Sequence, residues 1–268
     1  MKILVNLIGS DGFLGKALLR NSKNINLHCW SHSSKKKKSK FDLFDRNSWE
    51  NLLNSSPETV LLLSWPGLPN YQNPHHLTKN LPLFIELVEE LIKVGCKNII
   101  VAGTCYEYGN INGSLDEEQT VEPNNYYAIA KDTLRRSIQF KCEENNVRWV
   151  WARIFYPYGI DQNQNSLFPS LLRAIKENKK EFNITSGNQK RDFISANEVA
   201  LILITLCINP NAKGIYNCGT GSPTSIFEFV QKIVKKNNSP IKINRGSYPD
   251  RISEPIAFWA NMQKFNSL

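Results

Sequence analysis

The stretch ILVNLIGSDGFLG, Ile3 to Gly15, decides the fold. Its apolar half, with Lys2 in front, reads as a β-strand over Lys2–Ile8. Gly9, Gly12 and Gly15 then follow at three-residue spacing and lead into an amphipathic helical segment, Gly12–Asn21. Residues without a Cβ let the backbone approach a pyrophosphate, which lies at the positive end of the helix that follows. Three glycines alone say little; between a strand and a helix at the start of an α/β pattern they predict a dinucleotide site.

Working outward, short runs rich in Val, Ile and Leu alternate with longer segments of helical period. Further strands are predicted at Ile25–Trp30, Thr59–Leu63, Asn98–Ala102 and Arg148–Ile154, and helices at Leu77–Val94, Tyr126–Asn145, Ser166–Glu177, Asn197–Ile208 and Ser225–Lys236. This is the pattern of a parallel sheet covered on both faces. Beyond about residue 155 the alternation loosens into Pro-, Asn- and Gly-rich connections. The fold class is therefore α/β, a Rossmann doubly wound parallel sheet with a small C-terminal substrate-binding cap. The 268 residues form one unit, with a cofactor-binding part (1–155 plus 188–218) and a substrate-binding part (156–187 plus 219–268).

No apolar run approaches the roughly 20 residues that span a bilayer. Met1 to Ile8 runs straight into the glycine loop and reads as a strand rather than a secretion signal. The six cysteines contain no C-x-x-C pair, which points to free thiols in the cytoplasm and to no metal. The net charge of +9 invites a nucleic-acid reading, but Lys35 to Lys38 concentrate four of those charges in one loop and no nucleic-acid module is visible. Nucleic-acid and membrane partners are thus not expected, and a positive field suits a diphosphate.

Cofactor choice is written at the end of the second strand, where an acid would hydrogen-bond the ribose of NAD. The chain reads Trp30, Ser31, His32, Ser33, Ser34, Lys35 there. Hydroxyls and a lysine suit a 2′-phosphate, so NADP(H) is favoured, with NAD(H) as the alternative. Asp42, in the strand-like run Lys40–Phe44, is a candidate for the adenine amine.

Tyr127 and Lys131 stand at i, i+4 on a predicted helix and so share a face. An ammonium beside a phenol stabilises the phenolate and makes the tyrosine a proton donor or acceptor near neutral pH. Thr104 follows a predicted strand at the carboxyl edge of the sheet, where ligands of open α/β folds bind. His75 and His76, with no acidic partner nearby, read as loop residues without a role.

These segments together resemble the NAD-dependent epimerase/dehydratase family of sugar-nucleotide enzymes, within the extended short-chain dehydrogenases. The resemblance runs through ILVNLIGSDGFLG, AGTCYEYG around Thr104, EPNNYYAIAK around Tyr127, RIFYPYG from Arg153, RDFISANEVA from Arg191 and YNCGTGSPTSI from Tyr216. It implies Thr104, Tyr127 and Lys131 as catalytic residues, Gly9, Gly12 and Gly15 under the pyrophosphate, and Arg191 near the substrate diphosphate. The candidate cofactor contacts are completed by Asp11, Phe13, Leu14, Ser31, His32, Ser33, Lys35, Asp42, Leu43, Leu63 and Phe155. The candidate substrate contacts are Thr104, Cys105, Tyr106, Tyr156, Asn165, Arg191 and Arg251.

The chain also departs from the family pattern. Asn6, Leu7 and Ile8 replace the usual residues before the loop, and Tyr156 replaces an asparagine. The two positions after the threonine, where dehydratases carry acid, hold Cys105 and Tyr106; Glu107 comes one residue later and is expected to point elsewhere. The tail SYPDRISEPIAFWANMQKF is similar to the segment that closes the substrate pocket, in a shortened form. The chemistry implied is reduction of a 4-keto-6-deoxy sugar nucleotide, or the reverse dehydrogenation, as in the deoxytalose 4-dehydrogenase-like members. The alternatives are a C4 epimerase with retained NAD and, disfavoured by the intact Thr104, Tyr127 and Lys131, a non-catalytic cofactor sensor. A homodimer is the assembly the resemblance implies.

Overall fold

The computed structural model describes residues 2–34, 39–250 and 254–268. Its first half runs β1 (Leu4–Ile8), α1 (Phe13–Asn21), β2 (Asn26–Trp30), α2 (Glu50–Asn54), β3 (Thr59–Leu62), α3 (Leu81–Lys93), β4 (Asn98–Thr104), β5 (Gly113–Leu115), α4 (Tyr126–Glu144) and β6 (Arg148–Ile154). Then come β7 (Tyr156–Tyr158), α5 (Leu167–Lys176), β8 (Glu181–Asn183), β9 (Lys190–Arg191), β10 (Phe193–Ser195), α6 (Ala196–Ile208) and β11 (Gly214–Cys218). The chain closes with β12 (Thr224–Ser225), α7 (Ile226–Lys236), β13 (Lys242–Asn244), β14 (Phe258–Ala260) and α8 (Gln263–Asn266).

Six strands pair in the order β11-β6-β4-β3-β1-β2, every neighbour parallel. Alternation along the strands sorts side chains to two cores. Val5, Leu7 and Ile100 face α1 and α6, packing on Leu18, Val199 and Leu203. Ile8, Val60 and Ile99 face the opposite layer with Phe84, Leu87 and Leu134 of α3 and α4. Burying side chains of this size stabilises by about 1.5–3 kcal/mol each, so the two layers hold the sheet ends where the loops need them.

The predicted strands and helices form, with differences that have local causes. The segment expected as one helix from Leu77 splits: His76–Asn80 is a π-turn, and α3 begins at Leu81 with Pro82 in its first turn. Proline lacks the donor for a helix interior but fits the first turn. Lys40–Phe44 is not a strand; only an isolated bridge, Ser31 to Lys40, marks it. Ser195–Glu198 and Ser225–Glu228 form capping boxes that fix the starts of α6 and α7. The cap is built from α5, α7 and short two-stranded ladders around an apolar cluster that includes Leu171, Phe229 and Val230.

Candidate active site

The glycine loop is clamped to the end of β2, because Gly9 N and Ser10 N both donate to Trp30 O, at 2.9 and 3.3 Å. Gly9 has φ +95°, and a Cβ there would meet Ser64 N at 2.8 Å; a Cβ on Gly15 would run into the Gly9 carbonyl. The loop therefore has no room for side chains at these positions, as a backbone cradle for phosphate requires.

From this loop a cavity of about 590 Å³ follows the carboxyl ends of the strands. Gly9, Asp11, Gly12, Phe13, Leu14, Gly15, Leu63 and Phe155 line its cofactor end, and Thr104, Cys105, Tyr106, Tyr127, Lys131 and Tyr156 its far end. The flat, glycine-walled end fits a dinucleotide, so these residues are the ones that would hold a nicotinamide cofactor.

Other candidates fall outside that lining. Leu43 is 2% exposed and packs with Trp49 and Leu62 in the core, where an apolar chain gains most. Ser31 is buried, His32 pairs with Asp42 at 3.3 Å, and Ser33 is bound to Asp11. Asn165 is exposed; its neighbours Gln162, Asn163 and Ser166 form the wall instead. Arg191 is 2% exposed behind Tyr156 and Phe258, with its guanidinium on Glu254 at 3.0 Å and on the Lys190 carbonyl at 2.9 Å. Lys35 and Arg251 lie outside the described residues.

At the far end, Tyr127 stands in the first turn of α4. That turn is set by Asn125, whose Oδ1 accepts from Ala128 N at 2.9 Å, and by Tyr127 N donating to Tyr71 O at 3.0 Å. Thr104 closes β4; Tyr106 N donates to its Oγ1 at 3.3 Å, and its own N donates to Glu107 at 2.9 Å. Glu107 is fully buried beneath the threonine, accepting from Arg153 Nε at 2.8 Å and from Trp151 Nε1 at 2.9 Å. It does not reach the cavity lining, and Asp11 is the lone carboxylate there among the described residues.

Burial, then the nearby Tyr71 and Glu107, push the Tyr127 phenol above its ordinary value, while a hydrogen bond with Thr104 pulls it down. Burial lowers Lys131 to about 7, and Glu107 works the other way. The lysine sits between two indole faces, its Nζ 4.5 Å from the Trp65 ring and 5.0 Å from the Trp151 ring. Sequence reasoning placed the ammonium beside the phenol. The structure puts both on one side of α4, with tryptophan as the cation's immediate partner.

Trp65 and Tyr71 were missed because Ser64–Asn73 has no period, although its position after β3 at the sheet edge was a usable signal. His76 was misread as a loop residue. It is fully buried 5.5 Å from the Tyr127 ring, and its Nδ1 accepts from Trp65 Nε1 at 3.1 Å while Nε2 meets Asn70 O at 2.8 Å. That pairing makes Nε2 the protonated nitrogen, and burial keeps the ring neutral by lowering its pKa.

A glycine-rich turn at the first helix, a cavity across the carboxyl edge of a parallel sheet, and a Tyr–Lys pair beside a threonine define a nucleotide-binding oxidoreductase of the short-chain dehydrogenase class. The sequence profile of the NAD dependent epimerase/dehydratase family matches residues 5–219, and the chain belongs to that family as an enzyme. It is 31% identical over 203 residues to the dTDP-6-deoxy-L-talose 4-dehydrogenase (NAD(+)) of Aggregatibacter actinomycetemcomitans, covering 75% of this chain and 74% of that one. It is 28% identical to the ADP-L-glycero-D-manno-heptose-6-epimerase of Brachyspira hyodysenteriae over 92% of this chain and 80% of that one. Among solved structures, MoeE5 in complex with UDP-glucuronic acid and NAD superposes with a TM-score of 0.82 at 25% identity, over 100% of this chain and 92% of that one.

Proposed function

We propose that this enzyme reduces a 4-keto-6-deoxy sugar nucleotide, or runs the reverse dehydrogenation, at C4. The observation that carries the reading is the far end of the cavity, where Thr104, Tyr127 and Lys131 meet and, among the described residues, no carboxylate lines the wall beside them. A dehydratase needs an acid there to move the C5 proton and the departing hydroxyl; Cys105 and Tyr106 offer none, and Glu107 is held by Arg153. A relative that is a 6-deoxy-talose 4-dehydrogenase supports the same substrate class.

A bound nicotinamide dinucleotide supplies the hydride. Tyr127 gives its phenolic proton to the C4 oxygen and Thr104 hydrogen-bonds that oxygen as charge develops. Lys131 offsets the charge left on the phenolate and, lining the cavity, would hold the nicotinamide ribose of a bound cofactor. Tyr106 and Tyr156 form an aromatic wall, 5.9 Å between ring centroids, against which a deoxy sugar packs. We assign cofactor binding to residues 1–155 plus 188–218 and substrate binding to 156–187 plus 219–268. The hydroxyls and lysine that follow β2 are the sequence features that favour NADP(H), whereas the Asp11 carboxylate, which engages the Ser33 hydroxyl, favours NAD(H).

C4 epimerisation is the second reading, since the same three side chains serve it and an epimerase is among the relatives. Denaturing the freshly purified protein and identifying the released nucleotide by mass separates the two. Protein that comes free of cofactor and binds it reversibly supports the reductase; stoichiometric retained NAD transfers the assignment to the epimerase.

A further inference from the structure

We propose that Asp11, a residue of the glycine loop, stands in for the missing acid at the end of β2 and makes NAD(H) the preferred cofactor over NADP(H). The inference rests on the reading that the cavity holds a nicotinamide dinucleotide. Because the loop is clamped to Trp30 O by Gly9 N and Ser10 N, Asp11 is carried across to the segment that follows β2. Its Oδ2 accepts from Ser33 Oγ at 2.6 Å and from Ser33 N at 3.3 Å. Asp11 is exposed and lines the cavity. A carboxylate thus occupies the region where a strand-end acid of an NAD enzyme accepts from the adenosine ribose.

Two consequences follow for the extra phosphate of NADP. The fixed negative charge of Asp11 repels a dianion and accepts well from a 2′-hydroxyl. The backbone and hydroxyl donors of Ser33, which a 2′-phosphate would need, are both engaged by the same carboxylate. Among the described residues on this side, His32 pairs with Asp42 at 3.3 Å, which places a second carboxylate there. An NADP preference read from hydroxyls therefore fails at Ser33, because those hydroxyls have a closer anion to satisfy.

The test is titration of the full chain with NADH and with NADPH, for the unaltered protein and for Asp11→Asn and Ser33→Ala. The unaltered protein is expected to bind NADH more tightly by about tenfold or more. Asp11→Asn should shrink that ratio severalfold, chiefly by improving NADPH, and Ser33→Ala, which leaves the carboxylate in place, should retain it. Tighter NADPH binding by the unaltered protein, or a ratio that Asp11→Asn leaves unchanged, overturns the assignment to Asp11 while leaving the dinucleotide site intact. Binding of neither nucleotide overturns both the site and the preference.

Discussion

Lys131 and Arg153 are two buried cations that share one tryptophan and live in opposite surroundings. Trp151 presents its ring to Lys131 Nζ at 5.0 Å and donates its Nε1 to Glu107, the partner of Arg153. Arg153 has a carboxylate at 2.8 Å and the Tyr108 ring at 4.5 Å. Burial works against its charge, yet Glu107 and Tyr108 hold the guanidinium above its ordinary value. Lys131, held between two indole faces, is driven down to about 7 by burial, which the more distant Glu107 only partly offsets. The first arrangement satisfies a charge and fixes a backbone turn; the second leaves a charge in need of a partner. A cation that the fold leaves incompletely satisfied beside a cavity is one available to cofactor and substrate.

The comparison breaks most visibly at Lys131→Met. Turnover is expected to fall by about 10²–10⁴-fold, while thermal unfolding shows equal or greater stability, since a poorly partnered buried charge is replaced by an apolar chain of similar length. A large loss of stability with turnover retained would show that the lysine is structural. Arg153→Met should do the reverse and cost about 3–5 kcal/mol in denaturant unfolding, because it strands the Glu107 charge. Adding Glu107→Gln to it should recover part of that loss, and strict additivity of the two would deny the pairing.

Smaller effects appear as pH dependence. Folded Lys131 gives up its proton near 7 and unfolded lysine only near its ordinary 10.5. The unfolded chain therefore binds more protons between those values, and stability gains from this group as pH rises from 7. Urea melts at several pH values should show this slope in the unaltered protein and its loss in Lys131→Met. His76 titrates lower when folded than the usual 6.5, so stability should decline as pH falls below that point, and His76→Gln should flatten the decline.

What was legible in the sequence was local. The glycine spacing and the i, i+4 pair at Tyr127 and Lys131 declare themselves within one or two turns of chain, and the structure builds a strand–loop–helix and a shared helix side from them. Pairings across the chain were hidden. Glu107 and Arg153 meet across 46 positions, and nothing in either segment names the other. Arg191 was placed near the substrate diphosphate by the family resemblance; its burial behind Tyr156 and its contact with Glu254 arise only when β9 and the segment before β14 come together. Loops without period, such as Ser64–Asn73 and Gln162–Ser166, gave no phase from which to tell wall from solvent, so Trp65, Tyr71 and Gln162 were missed and Asn165 was taken in their place. Lys40–Phe44 alternated like a strand but is too short to hold a ladder at the sheet edge.

The most direct test of the central reading is a turnover assay in which purified enzyme, a 4-keto-6-deoxy sugar nucleotide and reduced nicotinamide cofactor are mixed and cofactor absorbance and product are followed together, with Tyr127→Phe alongside. One cofactor is expected to be oxidised per 4-hydroxy sugar nucleotide formed, with that turnover lost and cofactor binding retained in Tyr127→Phe. A C4-epimerised product from a 4-hydroxy sugar nucleotide with no net change in cofactor, or full activity in Tyr127→Phe, would contradict it.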